Sequence, residues 1–167
     1  MSVSTIAGTG LFGSGTGSPG TSVNIFPGPT VAYDSTSVFY GTYSYWKIFK
    51  VGRASPHPVA LAAGTGVQGC TSNLLGTAAQ ISRAAGLTVD QNNNMMYAVM
   101  YQTCYNIFRI GTTGTHPVWH WAGSAGDNGH VDGNSGTARF ERMRAITIDR
   151  KYENLYITHL NQAYIRK

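Results

Sequence analysis

Charge is scarce in this chain. Of its 167 residues only 11% are charged, and only seven are acidic, against about a quarter charged in typical globular proteins. With so few carboxylates, neither a paired-carboxylate centre nor a Ser-His-Asp arrangement can be argued from the sequence. Long hydrophobic runs are missing as well. No stretch approaches the roughly eighteen apolar residues of a membrane span, and Met1 is not followed by the basic segment and apolar run that mark a leader. Cysteine is limited to Cys70 and Cys104. They lie at non-equivalent places without CxxC spacing, so neither a zinc site nor a disulfide framework is indicated, and both are read as free thiols. The basic residues leave a net charge of +5 and a pI near 9.4. That excess admits an anionic partner and also serves solubility.

What the chain does have is glycine, 21 residues, and ten tyrosines with scattered Thr and Val, a composition suited to short strands joined by tight turns. It also repeats itself. Val3-Ser4-Thr5-Ile6-Ala7-Gly8 returns as Val59-Ala60-Leu61-Ala62-Ala63-Gly64 and as Val118-Trp119-His120-Trp121-Ala122-Gly123. A second phrase ends in Asp34, Asp90 and Asp149, which lie 56 and then 59 residues apart. Two unrelated phrases that keep one period define structural units of the kind found in solenoids and propellers. The whole chain, 1–167, reads as a single domain of three repeats, about 8–66, 67–126 and 127–167.

Inside each unit the apolar residues alternate with a period near two, which is the strand signal. Strands are expected at Thr30–Asp34, Val38–Tyr43 and Lys47–Val51, then at Gly86–Asp90, Met95–Met100 and Asn106–Ile110. The last set is Val118–Ala122, Ala145–Asp149, Asn154–Thr158 and Ala163–Lys167. No segment reads as a helix. The fold class is therefore all-β, with units that are four-stranded antiparallel blades of a β-propeller.

Asp132-Gly133, Ala138-Arg139-Phe140, Ile146-Thr147-Ile148-Asp149, Asn154-Leu155-Tyr156 and Tyr164-Ile165-Arg166-Lys167 follow one another in an order that resembles the NHL-repeat propellers. The resemblance extends over essentially the whole chain, and the repetition of its loose motifs in register gives it weight. The first two repeats lack the loop Asp-Gly. The acidic residue that the family often carries three places after the tyrosine of its second strand is replaced by Tyr43, Met100 and His159. The resemblance implies six blades and a role as an interaction module.

Three blades do not close a ring, since propellers typically have four to eight. The chain opens with a lone strand at residues 3–7, and its last blade has three strands. Two copies related by a two-fold axis would supply what each lacks, the first strand of one completing the last blade of the other. A homodimer with strand exchange is therefore expected. The rival readings are a piece of a longer propeller and a different half-propeller partner.

Gly8-x-Gly10-x-x-Gly13 matches the dinucleotide fingerprint, but the chain that follows it, rich in Gly, Ser and Pro, cannot form the helix the mechanism requires. Asp127, His130 and Asp132 share one loop and are weak candidates for metal ligands. The further oxygens and closing Glu of a calcium loop are missing, and a turn role is the plainer one. Asp34, Asp90 and Asp149 are expected to serve the turns that follow them. Among His57, His116, His120, His130 and His159, only His159 stands where a channel-mouth residue belongs. The most distinctive set is basic. Register places Arg83 and Arg142 in one column, with Arg144 two places on, at a connection that approaches the axis in propellers. Their forked donors suit carboxylate or phosphate, although pairing with Glu141, Asp149 or nearby carbonyls is the structural alternative. Tyr43 and Met100 are expected to add an apolar rim.

The leading expectation is a non-enzymatic scaffold that binds a protein, peptide or anionic ligand on one face. Nucleic acid is a less favoured sub-case, because the charge excess is modest, and no cofactor is indicated. The alternatives are a metal-dependent hydrolase or lyase with an axial site, and a fragment of a larger NHL-repeat protein with no site of its own.

Overall fold

The computed structural model describes residues 2–160 and 163–167, so Met1, Asn161 and Gln162 fall outside it. The described residues form three antiparallel sheets of four, four and three strands. The first sheet contains β1 (Thr30–Tyr33), β2 (Ser37–Gly41), β3 (Ile48–Gly52) and β4 (Val59–Ala63). The second contains β5 (Ala84–Asp90), β6 (Met95–Met100), β7 (Asn106–Gly111) and β8 (Val118–Gly123), and the third β9 (Met143–Ile148), β10 (Leu155–His159) and β11 (Ile165–Arg166). Each is a simple meander with strands in chain order. Every strand expected after residue 30 forms within a few residues of its sequence bounds. Among the described residues helix is confined to two single 3-10 turns, Gly20–Ser22 and Gly76–Ala78.

The repeated residues act as repeated joints. Asp34 follows β1 and accepts from the backbone N–H groups of Thr36 (2.8 Å) and Ser37 (2.7 Å). Asp90, at the end of β5, accepts from those of Asn92 and Asn93. Asp149, after β9, accepts from the Glu153 backbone and the Asn154 amide. Each carboxylate thus folds the first hairpin of its sheet by bonding nearby donors. At the Asp149 turn those donors, Asn154 foremost, hold the carboxyl below its ordinary pKa.

A second joint leads from one unit to the next. Gly8, Gly64 and Gly123 have φ of 96°, 97° and 92°, a region closed to most side chains. Their N–H groups donate to the carbonyls of Gly20, Gly76 and Ser135 at 3.1, 2.9 and 3.1 Å. At Gly64 a Cβ would sit 2.1 Å from the Trp46 carbonyl oxygen, so close approach as well as φ demands glycine there.

The sheets stack in sequence order. Phe39, Ile48, Ile81, Leu87, Met96, Met100 and Phe108 form the apolar layer between the first and second. Val99, Ile107, Phe140, Met143, Ile146 and Ile157 form the layer between the second and third. The leading strands β1, β5 and β9 lie side by side. Gly86 permits this, since a Cβ there would meet the Ile146 nitrogen at 2.9 Å.

Within the described chain residues 3–7 form no strand, and Ile6 and Ala7 pack against Val23, Tyr40 and Phe49 of the first unit. One expectation is corrected. Cys70 and Cys104 are not free thiols but a disulfide, with Cα atoms 5.4 Å apart. Both lie in the second unit, Cys70 in the loop before its sheet and Cys104 in the turn after β6, and folding of that sheet brings the two loops together.

Candidate functional site

The turns after β2 and β6 and the approaches to β5 and β9 meet at one end of the stacked sheets. Tyr43 follows β2, Arg83 precedes β5, Tyr101 follows β6, and Arg144 lies in β9. The Arg83 guanidinium sits 3.7 Å from the centre of the Tyr43 ring and 5.6 Å from that of Tyr101. The Arg144 guanidinium sits 4.8 Å from Tyr101. The result is a cation–aromatic ladder, Tyr43–Arg83–Tyr101–Arg144, drawn from all three sheets. Each rung is attractive because the ring faces carry partial negative charge. Arg83 is further fixed by donating its Nε–H to the Tyr43 carbonyl at 3.0 Å, and the Tyr101 N–H donates to the Arg83 carbonyl at 3.0 Å.

The ladder contains no carboxylate. Arg144 is exposed, and Arg142, also exposed, faces Glu141 at 3.7 Å. This end of the molecule therefore presents guanidinium donors held in place by aromatic rings, an arrangement suited to carboxylate or phosphate oxygens. The Gln68 amide donates to the Thr103 hydroxyl at 2.7 Å, and the Cys70–Cys104 disulfide closes the same pair of loops. The turn that carries Tyr101 is thereby tied down.

The other expected site residues lie elsewhere. Sequence spacing places Met100 with Tyr43, but strand pairing sets it in register with Thr42, and it is fully buried in the layer between the first two sheets, so it forms no exposed rim. His159 is also buried. Its Nδ1 donates to the Glu141 carbonyl at 2.7 Å, and its Nε2 has no hydrogen-bond partner among the described residues. Burial, aided by the charges of Arg166 and His130, pushes its pKa below that of an ordinary histidine, and the Glu141 carbonyl opposes the shift. Asp127 accepts from Arg139 Nε at 2.5 Å, and Asp132 from Arg166 Nη2 at 2.8 Å. Both carboxylates thus hold arginines, and among the described residues no three His, Cys, Asp or Glu side chains gather as metal ligands do.

One cluster joins residues that the sequence named only separately. His130 Nε2 lies 2.9 Å from Glu141 Oε2, and the Tyr164 hydroxyl bonds His130 Nδ1. The His159 ring stacks on Phe140 beside them. His130 and Glu141 meet across one loop before β9, β10 carries His159 to them, and the return toward β11 adds Tyr164. The ladder was half legible, since register put the arginines in one region but could not show that Tyr101 would stand between two of them.

No family model and no curated protein matches the chain. The NHL-repeat resemblance therefore rests on the repeated phrases alone. Among solved structures, the chain is similar to the crystal structure of a structural genomics protein of unknown function from Bacteroides thetaiotaomicron. The identity is 18% and the TM-score 0.64, covering 74% of this chain and 30% of that one. At that identity the likeness shows a shared fold, and the present chain spans less than a third of the solved chain's length.

Proposed function

We propose that the chain is a non-enzymatic β-propeller scaffold of the NHL type, built as half of a six-bladed ring, which binds an acidic peptide or protein segment at one mouth. The observation that carries the binding reading is the ladder Tyr43–Arg83–Tyr101–Arg144. Its guanidinium donors are preorganised by stacking, so little side-chain freedom is lost when an oxyanion arrives. The Tyr101 ring already contacts two cations, which makes base stacking a poor use of it and favours carboxylates over nucleic acid.

The ring reading is supported by the two flanks of the stack. Leu87 and Val89 on β5 are covered by the first sheet, whereas the corresponding Val31 and Tyr33 on β1 are 68% and 62% exposed. On the far flank Thr147, Tyr156 and Thr158 face outward. Exposed faces of this kind mark interaction surfaces, and a two-fold axis would close the front flank of one copy on the rear flank of the other. The 30% coverage of the solved chain favours a second reading, in which these sheets are one portion of a longer chain's ring.

A fluorescent polyglutamate peptide tests the site. Binding that weakens about tenfold on Arg144→Ala, equivalent to ~1.4 kcal/mol, and that falls as salt rises supports the reading. Equal binding by wild type and Arg144→Ala rejects it. For the ring, light scattering of the purified chain decides: twice the chain mass of 17.9 kDa supports the homodimer, and the single mass rejects it in favour of the longer-chain reading.

A further inference from the structure

Two residues in the turn after β6 have left-handed backbone without being glycine. Thr103 has a φ of 67° and Tyr105 a φ of 47°, and between them lies Cys104, fully buried and bridged to Cys70. A β-branched residue is poorly suited to that region, because its Cβ crowds the following carbonyl. The turn after β2 is plainer. Ile48 faces Ala63 as Ile107 faces Ala122, so Trp46, with a φ of 49°, matches Tyr105. Thr42 holds the place of Met100, which makes the turn after β6 one residue longer. The turn after β2 has no bridge and, besides Trp46, no left-handed residue.

The longer turn begins at Tyr101, the ring that stands between Arg83 at 5.6 Å and Arg144 at 4.8 Å. Its other restraints are polar. The Ser82 hydroxyl donates to the Gln102 carbonyl. The Gln68 amide donates to the Thr103 hydroxyl at 2.7 Å, and the Gly126 N–H to the Thr103 carbonyl at 3.2 Å. Thr103 is exposed, so water competes for both of its bonds. The disulfide is the covalent hold. Unfavourable backbone of this kind persists where the surroundings over-determine it, and it collects at ligand clamps and switch regions.

We propose that the Cys70–Cys104 bridge is a redox switch on the anion site. Oxidised, it holds Tyr101 between the two arginines; reduced, it lets residues 102–105 relax and takes the ring away from Arg144. This rests on the binding reading above and adds its regulation. Cys70 is partly exposed and Cys104 fully buried, so the thiolate of a dithiol reductant attacks Cys70 Sγ and the Cys104 thiolate leaves. The second thiol of the reductant then attacks the mixed disulfide, the Cys70 thiolate leaves, and the reductant closes as its own disulfide. The two electrons and two protons of the dithiol end on the two cysteines. Arg83 keeps its contacts with Tyr43, so the switch acts on the Tyr101–Arg144 end of the ladder.

Polyglutamate binding and amide exchange test the switch on the full chain, oxidised, reduced with dithiothreitol and reoxidised. Reduction should weaken polyglutamate binding about fivefold and reoxidation should restore it. Cys70→Ser with Cys104→Ser should bind at the weakened level with or without dithiothreitol. Amides of residues 102–105 should exchange about tenfold faster after reduction, while those of β5 stay protected. Affinity unchanged by reduction overturns the switch, and the binding reading stands if Arg144→Ala still weakens the oxidised protein. Equal binding by oxidised wild type and Arg144→Ala overturns the binding reading and the switch with it. Weakened binding without faster exchange at residues 102–105 overturns relaxation of this turn as the cause. Loss of β5 protection on reduction makes the bridge a support of the whole second sheet and overturns a local switch.

Discussion

Arg83 and Tyr43 are joined twice, face to face at 3.7 Å and through an Nε–H bond to the Tyr43 carbonyl at 3.0 Å. The pair links the second sheet to the turn after β2. Because stacking and the directed N–H both depend on the planar fork, lysine cannot replace arginine here. Arg83→Lys should lower stability by about 1 kcal/mol, the scale of one hydrogen bond plus a half-buried cation–aromatic contact. Urea unfolding checks this, and a variant as stable as wild type would remove Arg83 from the inter-sheet framework.

The Cys70–Cys104 bridge closes a loop of 34 residues. Loop-closure entropy for that length corresponds to about 3–4 kcal/mol as an upper figure. Replacing both cysteines by alanine should lower the unfolding free energy by about 2–4 kcal/mol and make stability insensitive to reductant. Denaturant curves of wild type with and without dithiothreitol, beside the double variant, measure both effects.

Glycine substitutions should separate two causes. Gly64→Ala meets the Trp46 carbonyl oxygen at 2.1 Å and also carries a φ of 97°, whereas Gly114 has a φ of 63° and open space around it. The first change should cost more than about 3 kcal/mol, through a clash that cannot relax, and the second about 1 kcal/mol from backbone conformation alone. Thermal melts of the two variants give the contrast directly, and similar losses would refute it.

Acid should weaken the fold through two histidines. Burial lowers the pKa of both His159 and His116 below 6.5. Below that value the unfolded chain takes up protons that the folded chain does not, so stability falls as the pH drops from about 6.5 toward the folded-state pKa values. Urea midpoints at pH 7.5 and 5.5 should differ less in His159→Asn, whose amide can still donate to the Glu141 carbonyl. An unchanged difference would assign the acid sensitivity to other groups.

The exposed front flank gives a test of assembly that leaves folding alone. Val31 and Tyr33 are largely exposed within one chain, so Val31→Lys with Tyr33→Glu should change monomer stability by less than about 0.5 kcal/mol. In the proposed ring the same changes bury two charges and should shift the mass measured by light scattering from dimer to monomer. A dimer that survives them would move the interface away from this flank.

The strands were legible because two phrases recur at one spacing. Asp34, Asp90 and Asp149 mark the same hairpin three times, and no single occurrence would have sufficed. What the repeat spacing could not convey is the length of each turn. It grouped Tyr43 with Met100 and His159, but the first hairpin turns more tightly: Val38 stands opposite Tyr33 as Met96 stands opposite Val89, so Thr42 holds the place of Met100 and is as fully buried, while Tyr43 stands one residue further on and is exposed. The disulfide was missed for a related reason. Cys70 and Cys104 sit in irregular loops that follow no repeat, so their meeting depends on how those loops fold back, which periodicity does not encode. Residues 3–7 carry the strand phrase without a strand, since a sequence pattern specifies the shape of a segment and a neighbour must still supply its partner.

Gly8, Gly64 and Gly123 share nearly one backbone angle and one hydrogen bond. The step from each sheet to the next is thus written locally, in a handful of atoms, and not negotiated across the interior. A chain built this way can gain or lose whole units by duplication or deletion between two such glycines while every remaining step keeps its geometry. Unit number becomes a heritable variable separate from unit shape.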